Sequence, residues 1–543
     1  MATVKNPILP GFHADPAIIR VGEEYYIATS TFEWYPGVQL HRSRDLAHWE
    51  LLPRPLSRSS QLHMSGAPSS AGVWAPDISY HDGTFYLIYT DVKTGNGGRT
   101  FYDVRNFLVT TQDLYGEWSE PIYLNGSGFD PAMFHDDDGR SYLVNMQFDY
   151  RPWNIRFAGI VMQEYSKEEG KLIGEPKNIF VGTTRRVTEA PHIYKKDGYY
   201  YLFCAEGGTQ YNHCETVLRS ENIWGPYELS PHSPIVTSLP YPQNPLQKAG
   251  HASIVEAGNG KWYLAHLCSR PIDKGEDRYC ILGRETALQE MVWENDWPRL
   301  AGGSNMPSLS FEVDGLPGAC DAEAEKIAKS PLRTDVSWAD EFNKSEWNLR
   351  FQSLRVPMGE KADLTARPGW LRMYGRESLE SLFEQSLLAA RQQHFCCTVD
   401  TKVEFTPTSY QQMAGLTYYY DDISHYYLFV TKDEQQGRVL TMYQKVLNKF
   451  TMPIGVGVKL PEEGAVYLRL TVERENAQFW FSLNGFDFEK IGPLLDATVI
   501  SDDYYRKISN SRFTGAFIGI CCQDIAGRGG YADFDYFRYH VDE

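Results

Sequence analysis

Along the first 300 residues, apolar runs and polar turn residues alternate in a pattern that repeats five times. Each unit opens on a short polar or acidic stretch, runs through an apolar strand, turns tightly and continues into an aromatic-rich strand. The units are DPAIIRVGEEYYIATS from Asp15, APDISYHDGTFYLIYTD from Ala75, DPAMFHDDDGRSYLVNM from Asp130, EAPHIYKKDGYYYLFCAE from Glu189 and GHASIVEAGNGKWYLAHL from Gly250. Their starts at 15, 75, 130, 189 and 250 are spaced 60, 55, 59 and 61 residues apart. Gly22, Asp82-Gly83, Asp138-Gly139, Asp197-Gly198 and Gly258-Asn259-Gly260 supply the turns, which marks each unit as a β-hairpin. Units of this length, each with a hairpin and further strands, predict the blades of a five-bladed β-propeller around a central channel. The first strand of every blade then begins near the axis, so the opening residues of the units are where chemistry is expected.

The repeat ends near residue 300. The stretch from Ala301 to Arg333 is punctuated by Gly and Pro and then charged, and reads as a linker, with AEAEKIAK as its one helical candidate. Beyond it, alternating runs such as GLTYYYDDISHYYLFVTKD, AVYLRLTVERENAQFWFSLNG and FTGAFIGICCQD predict an antiparallel β-sandwich. WADEF (Trp338 to Phe342) and DFDYF (Asp533 to Phe537) resemble paired terminal strands of that sandwich. The expected organisation is all-β: a propeller over 1–305, a linker over 306–333 and a sandwich over 334–543.

Composition narrows the function. With 52 Lys and Arg against 70 Asp and Glu, the formal net charge is −18, which disfavours phosphate backbones and anionic lipid as partners. Neither a nucleic-acid nor a membrane partner is expected, and no apolar run approaches a membrane span. The start, MATVKNPILPGFHADP, has no apolar core of a signal peptide, so a cytoplasmic setting is expected. The nine cysteines are scattered and odd in number, which suits reduced buried thiols better than a disulfide framework. The adjacent pairs Cys396-Cys397 and Cys521-Cys522 should point to opposite faces of their strands. Aromatic residues reach 14%, which fits both strands and the packing of rings on the apolar face of a sugar.

Three units open with an acid: Asp15, Asp130 and Glu189. An Asp before Pro is commonly just a turn residue. Three acids in register within a five-fold repeat, however, bring three carboxyl groups into one funnel. Crowded carboxyls drive their pKa values apart, leaving a protonated acid beside an ionised base. Glycoside hydrolysis requires such a pair.

NPILPGFHADP, STFEWYPGV, GVWAPD, FDPAMFHDDDG, TEAPH, AGHAS and LGRET together resemble glycoside hydrolase family 43, and its two-domain β-xylosidases in particular, over essentially the whole chain. The resemblance implies a five-bladed propeller joined to a jelly-roll, concanavalin-like sandwich. It implies that Asp15 is the general base, Glu189 the general acid, and Asp130 the carboxylate that raises and orients the acid. It places Arg284 on the sugar, His251 as a polar wall contact, and Phe32, Trp74 and Phe129 as hydrophobic walls. Phe513, from the sandwich, would lean over the propeller mouth and leave a shallow pocket for the non-reducing end of a chain. The implied activity is exo-cleavage of xylobiose and short xylo-oligosaccharides by inversion, with side α-L-arabinofuranosidase activity. No cofactor is required and no metal, calcium included, is predicted. By family habit the chain is expected to form a dimer or tetramer.

HDDDG (His135 to Gly139) suggests a calcium loop, but its successive acids do not follow an alternate-position pattern, and a solvated hairpin turn is expected. The competing readings are α-L-arabinofuranosidase as the main activity, a family 32 fructosidase on the same architecture, and a non-catalytic sugar-binding propeller. The text lacks the WMNDPNG-like start that the fructosidases resemble, and all three acids that a binding propeller could dispense with are present.

Overall fold

The computed structural model describes residues 2–94, 100–508 and 511–542. Five antiparallel sheets form the blades. The first consists of Ala17–Val21, Glu24–Thr29, Gln39–Ser43 and Glu50–Leu51 in that spatial order. The other four begin with Gly72–His81, Ala132–His135, Glu189–Lys196 and Gln247–Glu256. These five leading strands touch their neighbours in a closed ring, which makes them the wall of the axial channel. The hairpins are set by the predicted turns. Asp82 and Gly83 have φ of 49° and 77°, and Asp197 and Gly198 of 49° and 87°, the positive pair that a two-residue turn between right-twisted strands demands.

The stretch read as a linker carries structure of its own. Ser310–Val313 pairs with Ala2–Lys5, so the segment after the fifth blade captures the start of the chain. The helix Ala322–Ala328 is capped by the Asp321 side chain, which accepts from the backbone N–H groups of Glu323 and Ala324. It is clipped to the first blade by Arg42 on Glu323 at 2.9 Å and Arg44 on Asp321 at 2.6 Å. It is a docked strap: Asp321 and Glu323 answer the two arginines, while Glu325, Lys326 and Lys329 face solvent.

The second half folds into two antiparallel sheets. One contains Leu371–Tyr374, Tyr531–Val541, Cys396–Glu404, Ala465–Glu473, Asn476–Ser482 and Glu489–Asp496. The expected terminal pairing is present, with Trp338 opposite Tyr539 and Asp340 opposite Phe537. The other contains Leu387–Arg391, Phe517–Asp524, Gln412–Asp421, Ser424–Asp433 and Gly437–Val446.

This second sheet is buried on both faces, which explains the near-continuous apolar text of its strands. Side chains alternate between two cores. Tyr418, Tyr420 and Cys522 enter the sandwich core, whereas Tyr419 and Cys521 join the core shared with the propeller. There Trp34 of the propeller stacks on Phe517 at 3.7 Å and meets Tyr419 edge-on at 5.9 Å. Cys204, Cys268 and Cys280 are buried thiols outside any disulfide, and burial pushes all three upward in pKa. No helix among the described residues is long and apolar enough to cross a membrane.

Candidate active site

Each blade enters the channel wall through one non-glycine residue in the left-handed region: Asp15 (φ 59°), Ala75 (32°), Asp130 (54°), Ala190 (51°) and His251 (52°). Such backbone costs on the order of 1–3 kcal/mol per residue and persists only where surrounding structure enforces it. Proline follows in four of the five (Pro16, Pro76, Pro131 and Pro191), fixing the next φ. Asp15, Asp130 and His251 occupy equivalent positions in this ring, but Glu189 does not. It stands one residue earlier, beside an irregularity in strand pairing, at the position that Trp74 and Phe129 hold in their blades. The three acids are therefore not in strict register, and the longer Glu side chain enters from a different place than the two Asp.

Asp15 is held as an anion. Burial opposes its ionisation, but the Arg284 guanidinium at 3.4 Å, His251 at 3.4 Å and a hydrogen bond from the Ser30 hydroxyl at 2.6 Å outweigh it. The carboxyl accordingly sits below the usual carboxylate range. Glu189 goes the other way: burial, then the negative charge of Asp15, raise it to about 8 against the opposing Arg284. Asp130 is also pushed up, by burial first and then by Glu189 and Asp15. It accepts the Ala190 backbone N–H at 3.2 Å, which ties it to the peptide next to Glu189. Near neutral pH the funnel thus holds Asp15 as an ionised carboxylate beside Glu189, which retains its proton, and Asp130, whose pKa burial and its neighbours raise. Burial keeps His251 neutral, its pKa lowered to about 4.

These groups line a cavity of about 230 Å³ at the channel mouth. All nine residues singled out from the sequence reach it: Asp15, Glu189 and Asp130; Arg284 and His251; Phe32, Trp74, Phe129 and Phe513. Trp74 is central to the aromatic wall, with Phe129 at 5.3 Å, Phe513 at 5.6 Å and Phe32 at 5.9 Å. A mutual backbone bridge between Phe32 and Val73 sets the first two rings, at 2.9 and 3.0 Å.

Phe513 comes from the sandwich. Its carbonyl oxygen accepts from Arg284 Nε at 3.1 Å and Nη2 at 2.8 Å, and the guanidinium lies over both the Phe32 and Phe513 rings. Two glycines permit this closeness. A Cβ on Gly283 (φ 77°) would fall 2.7 Å from the Gly515 Cα and 2.8 Å from the Thr514 oxygen.

The cavity also contains residues that the sequence did not reveal: Tyr102, Phe157, Val187, Thr209, Gln210, His213 and Ser511. Thr209 accepts from Arg284 Nη1 at 3.0 Å. His213 has its Nδ1 on the Lys248 carbonyl at 3.0 Å, and its Nε2 has no protein partner among the described residues. Thr209 to His213 lie in the connection between the second and third strands of the fourth blade, outside the hairpin that the repeat marks. The only available signal was that connection's position on the same side of the sheet as Glu189.

HDDDG is only partly a solvated turn. Asp137 and Asp138 are exposed, but Asp136 is buried, accepting from Lys195 at 2.6 Å and the Tyr200 hydroxyl at 2.8 Å. Among the described residues no group of three or more His, Cys, Asp or Glu side chains is placed to hold a metal ion.

An axial funnel with one ionised carboxylate and two carboxyls raised in pKa, an arginine clamp and an aromatic wall defines a glycoside hydrolase. Residues 4–298 match glycosyl hydrolases family 43, and 339–540 match the beta xylosidase C-terminal concanavalin A-like domain. The chain belongs to glycosyl hydrolase family 43. It is 48% identical to a protein named beta-xylosidase from Bacillus subtilis (strain 168), covering 99% of both chains. It is 46% identical to xylosidase/arabinosidase 43B of Humicola insolens, over 99% of this chain and 98% of that one. Among solved structures, xylan beta-1,4-xylosidase from Bacillus halodurans C-125 superposes with a TM-score of 0.92 at 50% identity, covering 99% of this chain and 100% of that one.

Proposed function

We propose that this protein is an exo-acting β-1,4-xylosidase that releases xylose from the non-reducing end of xylo-oligosaccharides by single-displacement inversion. The observation that carries this reading is the split between Asp15, ionised under Arg284, and Glu189, protonated to about pH 8, across one small funnel. Asp15 activates a water at the anomeric carbon while Glu189 protonates the departing oxygen. Asp130 orients the acid through the Ala190 peptide, while the charge that raises Glu189 is that of Asp15. Inversion calls for roughly 6.5–9.5 Å between the two carboxyls, room for the water. Phe32, Trp74 and Phe129 pack on the sugar ring, Arg284, His251 and His213 meet its hydroxyls, and Phe513 walls off the far side so that one terminal residue is admitted. The names of the relatives above support the substrate class. The second relative's name also favours a side α-L-arabinofuranosidase activity in the same pocket.

The buried thiols suit a reducing cytoplasm, and a dimer or tetramer is the assembly we infer, to be read by light scattering. The mechanism is tested by proton NMR of xylobiose in the first minutes of digestion. α-Xylose appearing before mutarotation supports inversion with these roles. β-Xylose first would refute inversion, and turnover of arabinofuranosides alone would move the specificity while keeping the site. A β-1,3-linked xylobiose run in parallel decides the linkage, because one relative, 44% identical, is named xylan 1,3-beta-xylosidase.

A further inference from the structure

We propose that this protein holds a small inorganic anion of chloride size in a narrow cavity where the propeller, the connecting strap and the sandwich meet. The cavity measures about 10 Å³ and takes its polar wall from Gln39 and His41 of the first blade, Thr334 of the strap, and Arg350, Arg391 and Gln393 of the sandwich. That is room for one water-sized sphere, and too little for phosphate or sulfate.

Four polar atoms of these residues are buried with no partner among the described residues: His41 Nδ1 and Nε2, Arg350 Nη1 and Arg391 Nη2. The residues themselves are sealed, at 0%, 6% and 4% exposure for His41, Arg350 and Arg391. A third guanidinium, Arg54, lies behind them at 7%. The partners of all three cations are neutral oxygens. Arg54 donates to Gln39 Oε1 at 3.0 and 2.8 Å and to the carbonyls of Leu349 and Phe351. Arg391 donates to the Phe12 carbonyl at 2.6 Å and to Gln352 Oε1, and Arg350 to the Arg333 carbonyl. The acid whose charge acts on Arg350, Asp335, is itself paired with Arg333.

Buried cations are ordinarily paired, because removing one from water without a counter-charge costs several kcal/mol. Here three guanidinia converge without a carboxylate, and two of them line the same void, each with an unused N–H. A water would accept at most two of these hydrogen bonds and would leave the charge uncompensated. A monatomic anion accepts from the unused N–H of each of the two arginines and from the single N–H of a neutral His41, and gains the field of all three cations. The site would also join the two halves of the molecule to the catalytic face, because Arg391 grips the Phe12 carbonyl in the segment that leads to Asp15.

The test is thermal unfolding of the full chain at constant ionic strength, with chloride replacing gluconate. We expect a saturable rise in Tm of about 2 °C or more with chloride and with bromide, the behaviour of a ligand bound only by the folded state. Crystals grown in bromide should show an anomalous peak between His41, Arg350 and Arg391. Arg391→Gln should abolish the halide dependence; Arg350→Gln replaces it if that variant does not fold. A wild-type Tm indifferent to halide overturns the site, even if bromide is seen at crystal concentration. So does a halide response that survives in the variant.

Discussion

Arg284 and Phe513 are joined through the backbone: the guanidinium donates twice to the Phe513 carbonyl oxygen, at 3.1 and 2.8 Å, leaving the ring free to wall the pocket. Clamp and wall are therefore separable by mutation. Phe513→Ala keeps the clamp and removes the wall. We expect kcat/KM on xylobiose to fall by about 10- to 100-fold, mostly through KM, as for a lost binding contact. The pH profile should stay in place, and the relative rate on longer oligosaccharides should rise. A shifted pH profile would show that the ring also sustains the carboxylates.

Gly283→Ala makes the complementary change. Its Cβ would meet the Gly515 Cα at 2.7 Å, at a positive φ that a side chain resists, so the two segments must separate. The clamp then loosens while both side chains remain. Steady-state kinetics should show a fall in kcat larger than any change in KM, with Tm lowered. Unchanged kcat would mean that Arg284 holds its place without the sandwich.

The pH dependence follows from the carboxylates. On the acid side, kcat/KM falls as Asp15 gains a proton, below the usual carboxylate range. On the alkaline side it falls as Glu189 loses one, near pH 8. Arg284 lowers both groups, so Arg284→Met should shift both limbs upward in pH as well as reduce activity. Opposite movement of the two limbs would contradict this placement of the guanidinium.

The five-fold repeat was readable because each blade's hairpin is local: turn residues and alternation determine it within a few positions of the chain. Asp15 and Asp130 were readable for the same reason. The one-residue offset of Glu189 emerges only when its blade is aligned on the proline, Pro191 with Pro16 and Pro131, instead of on the acid. His213 and Thr209 sit in a connection outside the repeating hairpin, so no periodic signal marks them. The linker's composition concealed a docked strap, because its charges answer Arg42 and Arg44 from distant sequence. The alternating runs of the second sandwich sheet announced a sandwich but not burial on both faces, which depends on the propeller's Trp34 and its neighbours covering the outer side.

Trp34 sets a prediction for the joint. It is fully buried and stacks on Phe517 at 3.7 Å across the two halves of the chain. Trp34→Ala should cost about 3–5 kcal/mol and, in calorimetry, should split or broaden a single unfolding transition. A variant that unfolds in one sharp step at the wild-type Tm would show that the halves are held together elsewhere.

Catalytic replacement separates chemistry from stability at Glu189. Glu189→Gln should lower kcat on xylobiose by about 10²–10⁴-fold, and much less on aryl xylosides whose leaving group needs no proton. Asp15→Asn should impair both substrates. The stability sign is the reverse of the activity sign. Glu189 has its pKa raised from an ordinary 4.5 to about 8, so the folded protein retains a proton that the unfolded chain releases. Wild type therefore loses stability as pH rises from about 4.5 toward 8, and below that window the group is neutral in both states. Gln carries no such cost. The Tm of Glu189→Gln should match wild type near pH 4 and exceed it increasingly up to about pH 8. A difference independent of pH would mean that Glu189 is ionised in the folded enzyme, and its role as the acid would fall with it.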